Sequence, residues 1–106
     1  MLKQIIQSSG ALQAAGPYSH AVRSGDMVYC LGQLPIDVAT GEIPDGVANH
    51  TRAALRNLSE VLKSSDSNLS AVLKTIVFMT DMDEFDLMNH VYEEFFLQAA
   101  PARSTV

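Results

Sequence analysis

The run Met27-Val28-Tyr29-Cys30-Leu31 is apolar at odd and even positions alike. A strand sends successive side chains to opposite faces, so a strand made of this run needs cover on both sides. Val72 to Thr80 (Val-Leu-Lys-Thr-Ile-Val-Phe-Met-Thr) is rich in β-branched residues and reads as a second buried strand. Leu2 to Gln7 supplies a short first strand, and Ala21-Val22 joins the Met27 run through Ser24-Gly25-Asp26, a connection of hairpin length. With 106 residues the chain can hold one core, so residues 1–106 are read as a single domain.

Two segments carry helical periodicity. Val47, Thr51, Ala54, Leu55, Leu58, Val61 and Leu62 recur at steps of three and four. That spacing predicts a helix over 47–64, with Asp45 as its N-cap and Arg52, Arg56, Glu60 and Lys63 facing outward. A second helix is predicted from Asp83, as cap, through Phe96, with Glu84 and Asp86 in its first turn, where the macrodipole favours acids. Its apolar stripe is Phe85, Met88, Val91, Tyr92, Phe95 and Phe96. Pro101 stops the helix, and Arg103 to Val106 begins a further strand. The order β, β, β, α, β, α, β implies an α+β two-layer domain, a mixed sheet with both helices on one face. The other sheet face is then bare, which predicts a homo-oligomer.

Seven Lys plus Arg against twelve Asp plus Glu give a net charge of −5, which argues against nucleic acid as a partner. No apolar run approaches the ~20 residues of a membrane span, and no signal-peptide core opens the chain. Cys30 is the single cysteine, and with His20, His50 and His90 scattered there is no metal framework. Cys30 reads as an inert buried thiol, and the histidines as surface or structural groups. The expected location is the cytoplasm. No Gly-x-Ser-x-Gly, Gly-x-x-x-x-Gly-Lys, His-Glu-x-x-His or Cys-x-x-Cys motif is present.

Four local features remain, each with a plainer reading beside it. Arg103, just after Pro101-Ala102, can hold a carboxylate bidentately at the mouth of a strand, or can pair on the surface with Glu93 or Glu94. Asn89 stands at the margin of an aromatic stripe, to orient a ligand or simply to satisfy local structure. Gly16-Pro17-Tyr18 offers an aromatic hydroxyl on a stiff loop, a pocket wall or a partly buried structural tyrosine. Gly32-Gln33-Leu34-Pro35 ends a strand where glycine permits close approach of a ligand, or a bulge.

In order and spacing, Gly16-Pro17-Tyr18-Ser19, Gly32-Gln33-Leu34-Pro35 with Thr40-Gly41-Glu42, Val77-Phe78 with Asp81, Asn89-His90-Val91-Tyr92-Glu93-Glu94-Phe95-Phe96 and Pro101-Ala102-Arg103-Ser104 resemble the RidA (YjgF) family of reactive-intermediate deaminases. The resemblance runs along essentially the whole chain. It implies a chorismate-mutase-like fold, a homotrimer with clefts between subunits, and cofactor-free hydrolysis of 2-imino and enamine acids to 2-keto acids and ammonia. It implies Arg103 as the carboxylate anchor, the Gly32 N–H as a second donor, a backbone carbonyl near Thr105 facing the iminium nitrogen, Tyr18 closing the pocket and Asn89 supporting it. Leu31 stands where Ser is usual, which makes the pocket wall more apolar, and Thr105 stands where Cys is common. Family members continue for about one more strand, to a Glu that positions water. The expectation is therefore that a C-terminal strand is missing and that these residues belong to a longer working protein.

Overall fold

The computed structural model describes residues 2–106. Three strands, β1 (Gln4–Ile6), β2 (Ala21–Ser24) and β3 (Met27–Cys30), form an antiparallel sheet in the order β1-β2-β3. The turn between β2 and β3 places Gly25 at φ 60°, a left-handed conformation that glycine reaches without a Cβ penalty. Helix α1 (Val47–Ser64) follows, then β4 (Lys74–Val77), α2 (Phe85–Phe95) and β5 (Ala102–Thr105). β4 and β5 pair in parallel, with Thr75 opposite Arg103 and Val77 opposite Thr105. The α+β class with two helices is as the sequence implies. Its mixed strand directions are divided between an antiparallel sheet and a parallel pair.

Helix α1 has the limits that its periodicity predicts, but its start differs. Gly46, not Asp45, is the N-cap, at φ 86°, and no side chain caps the helix. The Asp45 carbonyl instead accepts from the Asn49 side chain at 3.0 Å, so the chain enters through a glycine turn. At α2 the N-cap is Glu84 rather than Asp83, with no side-chain cap, and the capping carboxylate is that of Asp81 one 3₁₀ turn earlier. That carboxylate accepts from the Asp83 N–H at 2.9 Å and opens a single 3₁₀ turn, Met82–Glu84, that leads into the helix. The Val72–Thr80 run is shortened to four residues of strand. A 3₁₀ turn at Leu69–Ala71 precedes it, capped by the Asn68 side chain, which accepts from the Ser70 N–H.

Two apolar clusters bind the layers. Ile6, Ala21 and Val61 fix α1 to the antiparallel sheet, with Val28 and Cys30 packed alongside. Leu55, Met88, Tyr92 and Phe96 join the two helices, with Val77 and Met79 against them. Cys30 is half-buried, and burial pushes its thiol above the ordinary range, so it stays protonated at neutral pH.

A polar knot ties the N-terminal segment to α1. The buried His20 accepts the Ser8 N–H at Nδ1 (2.7 Å) and donates from Nε2 to the Leu12 carbonyl (2.6 Å), which fixes the Nε2–H tautomer. The Ser8 hydroxyl donates to the Glu60 carbonyl (3.2 Å), and Arg23 donates to the Ser65 carbonyl at the end of α1. These bonds brace both ends of the loop that carries Tyr18. Substituting His20→Ala would strand the buried Ser8 N–H, and is expected to cost about 1–3 kcal/mol. A urea melt checks this: the midpoint should fall at constant slope, and an unchanged midpoint would show the knot to be dispensable.

Candidate functional site

β5 places Arg103 on the helix-facing side of the parallel pair, just after Pro101. Its guanidinium carbon lies 4.7 Å from the Tyr92 ring centroid and 5.4 Å from that of Phe85. Both rings belong to α2, and a cation held over them gains roughly 0.5–2 kcal/mol. The Tyr92 ring also meets Phe96 at 4.7 Å between centroids, tilted by 36°. Its hydroxyl lies 2.7 Å from the Thr75 hydroxyl on β4.

Around this stack opens a cleft of about 350 Å³, lined by Asn89, Tyr92, Glu93, Phe96, Pro101 and Arg103, with Ala100 at its edge. Among the described residues the ion pair is Arg52–Glu94 at 3.6 Å, and Arg103 forms none. The expected surface pairing of Arg103 with Glu93 or Glu94 is therefore not made. A planar fork of N–H donors, stacked but unpaired with any carboxylate, is suited to receive one from a ligand. A larger hollow of about 640 Å³ lies between α1 and the loop at 36–44. There Arg52 is already paired, and Asp37 and Glu60 offset Arg56, so the lining selects no ligand charge.

Of the residues singled out from sequence, Arg103 and Asn89 meet in the cleft. Thr105 lies two positions further along β5 on the same side, half-buried opposite Val77. Tyr18, Leu31 and Gly32 do not line it. Tyr18 is 48% exposed, folded against Gly16. Leu31 is half-buried and donates its N–H to the His20 carbonyl at 2.9 Å. Gly32 is exposed, with open space where a Cβ would stand.

Sequence alone marks Phe85, Tyr92 and Phe96 as an apolar stripe with Asn89 at its margin, but not as the platform beneath Arg103, nor Glu93 as part of the cleft. Phe85, Asn89, Tyr92 and Phe96 recur at steps of four, three and four, with Glu93 one turn beyond Asn89. The polar Asn within that row was the signal that this face meets a cleft as well as a core. Among the described residues, no group of three or more His, Cys, Asp or Glu is arranged to hold a metal ion.

The family model described as "Endoribonuclease L-PSP" matches residues 8–106. The chain belongs to the endoribonuclease L-PSP family, the group that contains RidA. Among its L-PSP relatives, a RutC family protein of Pyrococcus horikoshii is 39% identical over 106 residues, 99% of this chain and 84% of that one. The 2-iminobutanoate/2-iminopropanoate deaminase of Mus musculus is 35% identical over 105 residues, covering 98% and 78% of the two chains. The crystal structure of E. coli TdcF with bound serine superposes with a TM-score of 0.92 at 36% identity, covering 97% of this chain and 84% of that one. In this L-PSP chain no helix among the described residues is long and apolar enough to cross a membrane.

Proposed function

We propose that this protein hydrolyses small 2-imino acids, such as 2-iminobutanoate and 2-iminopropanoate, to the 2-keto acid and ammonia. The observation that carries this reading is Arg103, stacked on Tyr92 and without a carboxylate partner among the described residues, in a cleft sized for a small acid. The mouse relative named for this activity supports it.

In the proposed reaction the guanidinium holds the substrate carboxylate, so attack by water becomes a positioned event. Gly32 and Leu31 do not line the cleft within one chain, so in this reading a neighbouring copy brings them to it, the Gly32 N–H as a second donor to that carboxylate and Leu31 as an apolar wall. The carbonyl of Thr105 accepts from the iminium N–H and favours the cationic, more electrophilic form. Water adds to the C=N carbon, the resulting carbinolamine passes a proton to nitrogen, and the C–N bond breaks to release ammonia and leave C=O. Glu93 is a carboxylate on the cleft lining, and in this reading it accepts the proton from water. Asn89 holds the wall opposite Arg103.

The exposed sheet face supports a homotrimeric assembly. Ile5, Val22 and Tyr29 stand in one cross-strand row of the antiparallel sheet, pointing away from the helices. Tyr29 is 66% exposed, Ile76 57% and Phe78 79%. An antiparallel sheet with a free face ordinarily turns polar side chains to water, and an apolar face calls for a partner. In the proposed trimer a neighbour completes the cleft and brings Tyr18 to it. Ile76→Glu is expected to convert a particle of three 11.5 kDa chains to monomer in sedimentation, with loss of activity. An unchanged mass would place the interface elsewhere.

The direct test couples the purified protein to a threonine dehydratase and threonine. It should accelerate 2-ketobutyrate release, and no acceleration would sink the reading. Leu31, in the place where a hydroxyl is usual, favours a second reading, binding of small carboxylic acids without turnover. Calorimetry with 2-ketobutyrate separates the two, since binding with no acceleration is the result that second reading expects.

A further inference from the structure

Arg103 makes no ion pair among the described residues, so something other than a counter-charge must hold its long side chain in place. An arginine free to sample its rotamers would lose that freedom on binding, at a cost to affinity. The stack on Tyr92 and Phe85 restrains it while leaving the in-plane N–H donors open.

Tyr92 is itself tethered. The side chain is 7% exposed, Phe96 packs on its ring, and its hydroxyl is bonded to Thr75 at 2.7 Å. Thr75 is the residue of β4 that stands opposite Arg103 in the parallel register. The ring under the guanidinium is thus fastened to the strand next to the one that bears it. Any shift of α2 against the strands stretches the hydroxyl bond before it can displace the ring from under Arg103.

We propose that Thr75 and Tyr92 form a positioning pair that presets the Arg103 guanidinium for a ligand carboxylate. The proposal deepens, and rests on, the reading of Arg103 as the carboxylate anchor. The two hydroxyls are engaged with each other, so their effect belongs in binding rather than in the chemical step.

The test uses four variants of the full chain: Tyr92→Phe, which keeps the ring, Thr75→Val, which keeps the shape, the double variant, and Thr75→Ser. Tyr92→Phe and Thr75→Val are each expected to raise KM for 2-iminobutanoate about three- to tenfold, the worth of one hydrogen bond, with kcat within about twofold. The double variant should be no worse than either alone, because both remove the same bond. Thr75→Ser should restore the wild-type KM. An activity-independent readout accompanies these. Stacking shifts the Arg103 side-chain proton resonances upfield, and the shift should shrink in Tyr92→Phe and Thr75→Val but persist in Thr75→Ser. A lower melting temperature with KM and the Arg103 shift both unchanged would overturn the proposal and leave the pair a structural bond only. If the wild type neither turns over imine nor binds 2-ketobutyrate, the functional reading falls, while the resonance shifts still decide whether the pair positions Arg103.

Discussion

Arg103→Ala is expected to lower kcat/KM for 2-iminobutanoate by two to three orders of magnitude. Removing one partner of a hydrogen-bonded charge pair costs about 2–5 kcal/mol, and each 1.36 kcal/mol is about tenfold in rate. The effect should be confined to function. The side chain makes no ion pair among the described residues, so truncation removes mainly its stack on Tyr92 and Phe85. Stability is expected to drop by no more than about 1–2 kcal/mol. Arg103→Lys should recover only part of the activity, since an ammonium keeps the charge but not the planar fork. The coupled dehydratase assay reads all three forms, and an alanine variant within threefold of wild type would remove Arg103 from the mechanism.

The largest stability effect is expected at Met88. It is 2% exposed and sits between the helices with Leu55, Tyr92 and Phe96. Met88→Ala should cost about 2–5 kcal/mol, the range for truncating a buried side chain in a core that relaxes only partly. For a domain of this size each kcal/mol lowers the melting temperature by roughly 4–8 °C, so a fall of about 10 °C or more is expected. Melts must be compared at equal protein concentration, because the proposed assembly would add to apparent stability. Tyr92 belongs to the same cluster, so this variant should also weaken binding of 2-ketobutyrate. A loss under about 1 kcal/mol would mean that the helices close over the gap.

Much of this was legible in the residues, and the exceptions share a cause. α1 was readable from Val47 to Ser64 because an apolar stripe over five turns outweighs any local signal. Its first residue depends on one dihedral at Gly46, which no composition encodes, and so the acidic residue beside it drew the cap. At α2 the chain offers Asp81, Asp83 and Glu84 within four positions, and only the backbone decides which carboxylate meets a free N–H. Arg103 and Asn89 stood out as polar residues in rigid or apolar settings, and they do share a cleft. The aromatic stripe was visible but its role beneath Arg103 was not, because Phe85, Tyr92 and Phe96 serve core and cleft together. Thr75 did not either, since its tie to Tyr92 spans 17 residues and lies on no shared helix face or strand.

The parallel pairing of β4 with β5 brings a further consequence. Thr75, Asn89, Tyr92, Glu93 and Arg103 all come from one β-α-β stretch, residues 75–103, whereas Tyr18, Leu31 and Gly32 come from the antiparallel sheet and its flanks. In the proposed function the guanidinium grip on the carboxylate is therefore a property of one supersecondary unit, while the Gly32 N–H and the rest of the pocket wall belong to another. Changes in the N-terminal half that spare the Gly32 backbone are then expected to retune which side chain a substrate carries without disturbing the Arg103 hold on its acid group. Under that reading affinity and selectivity can drift independently.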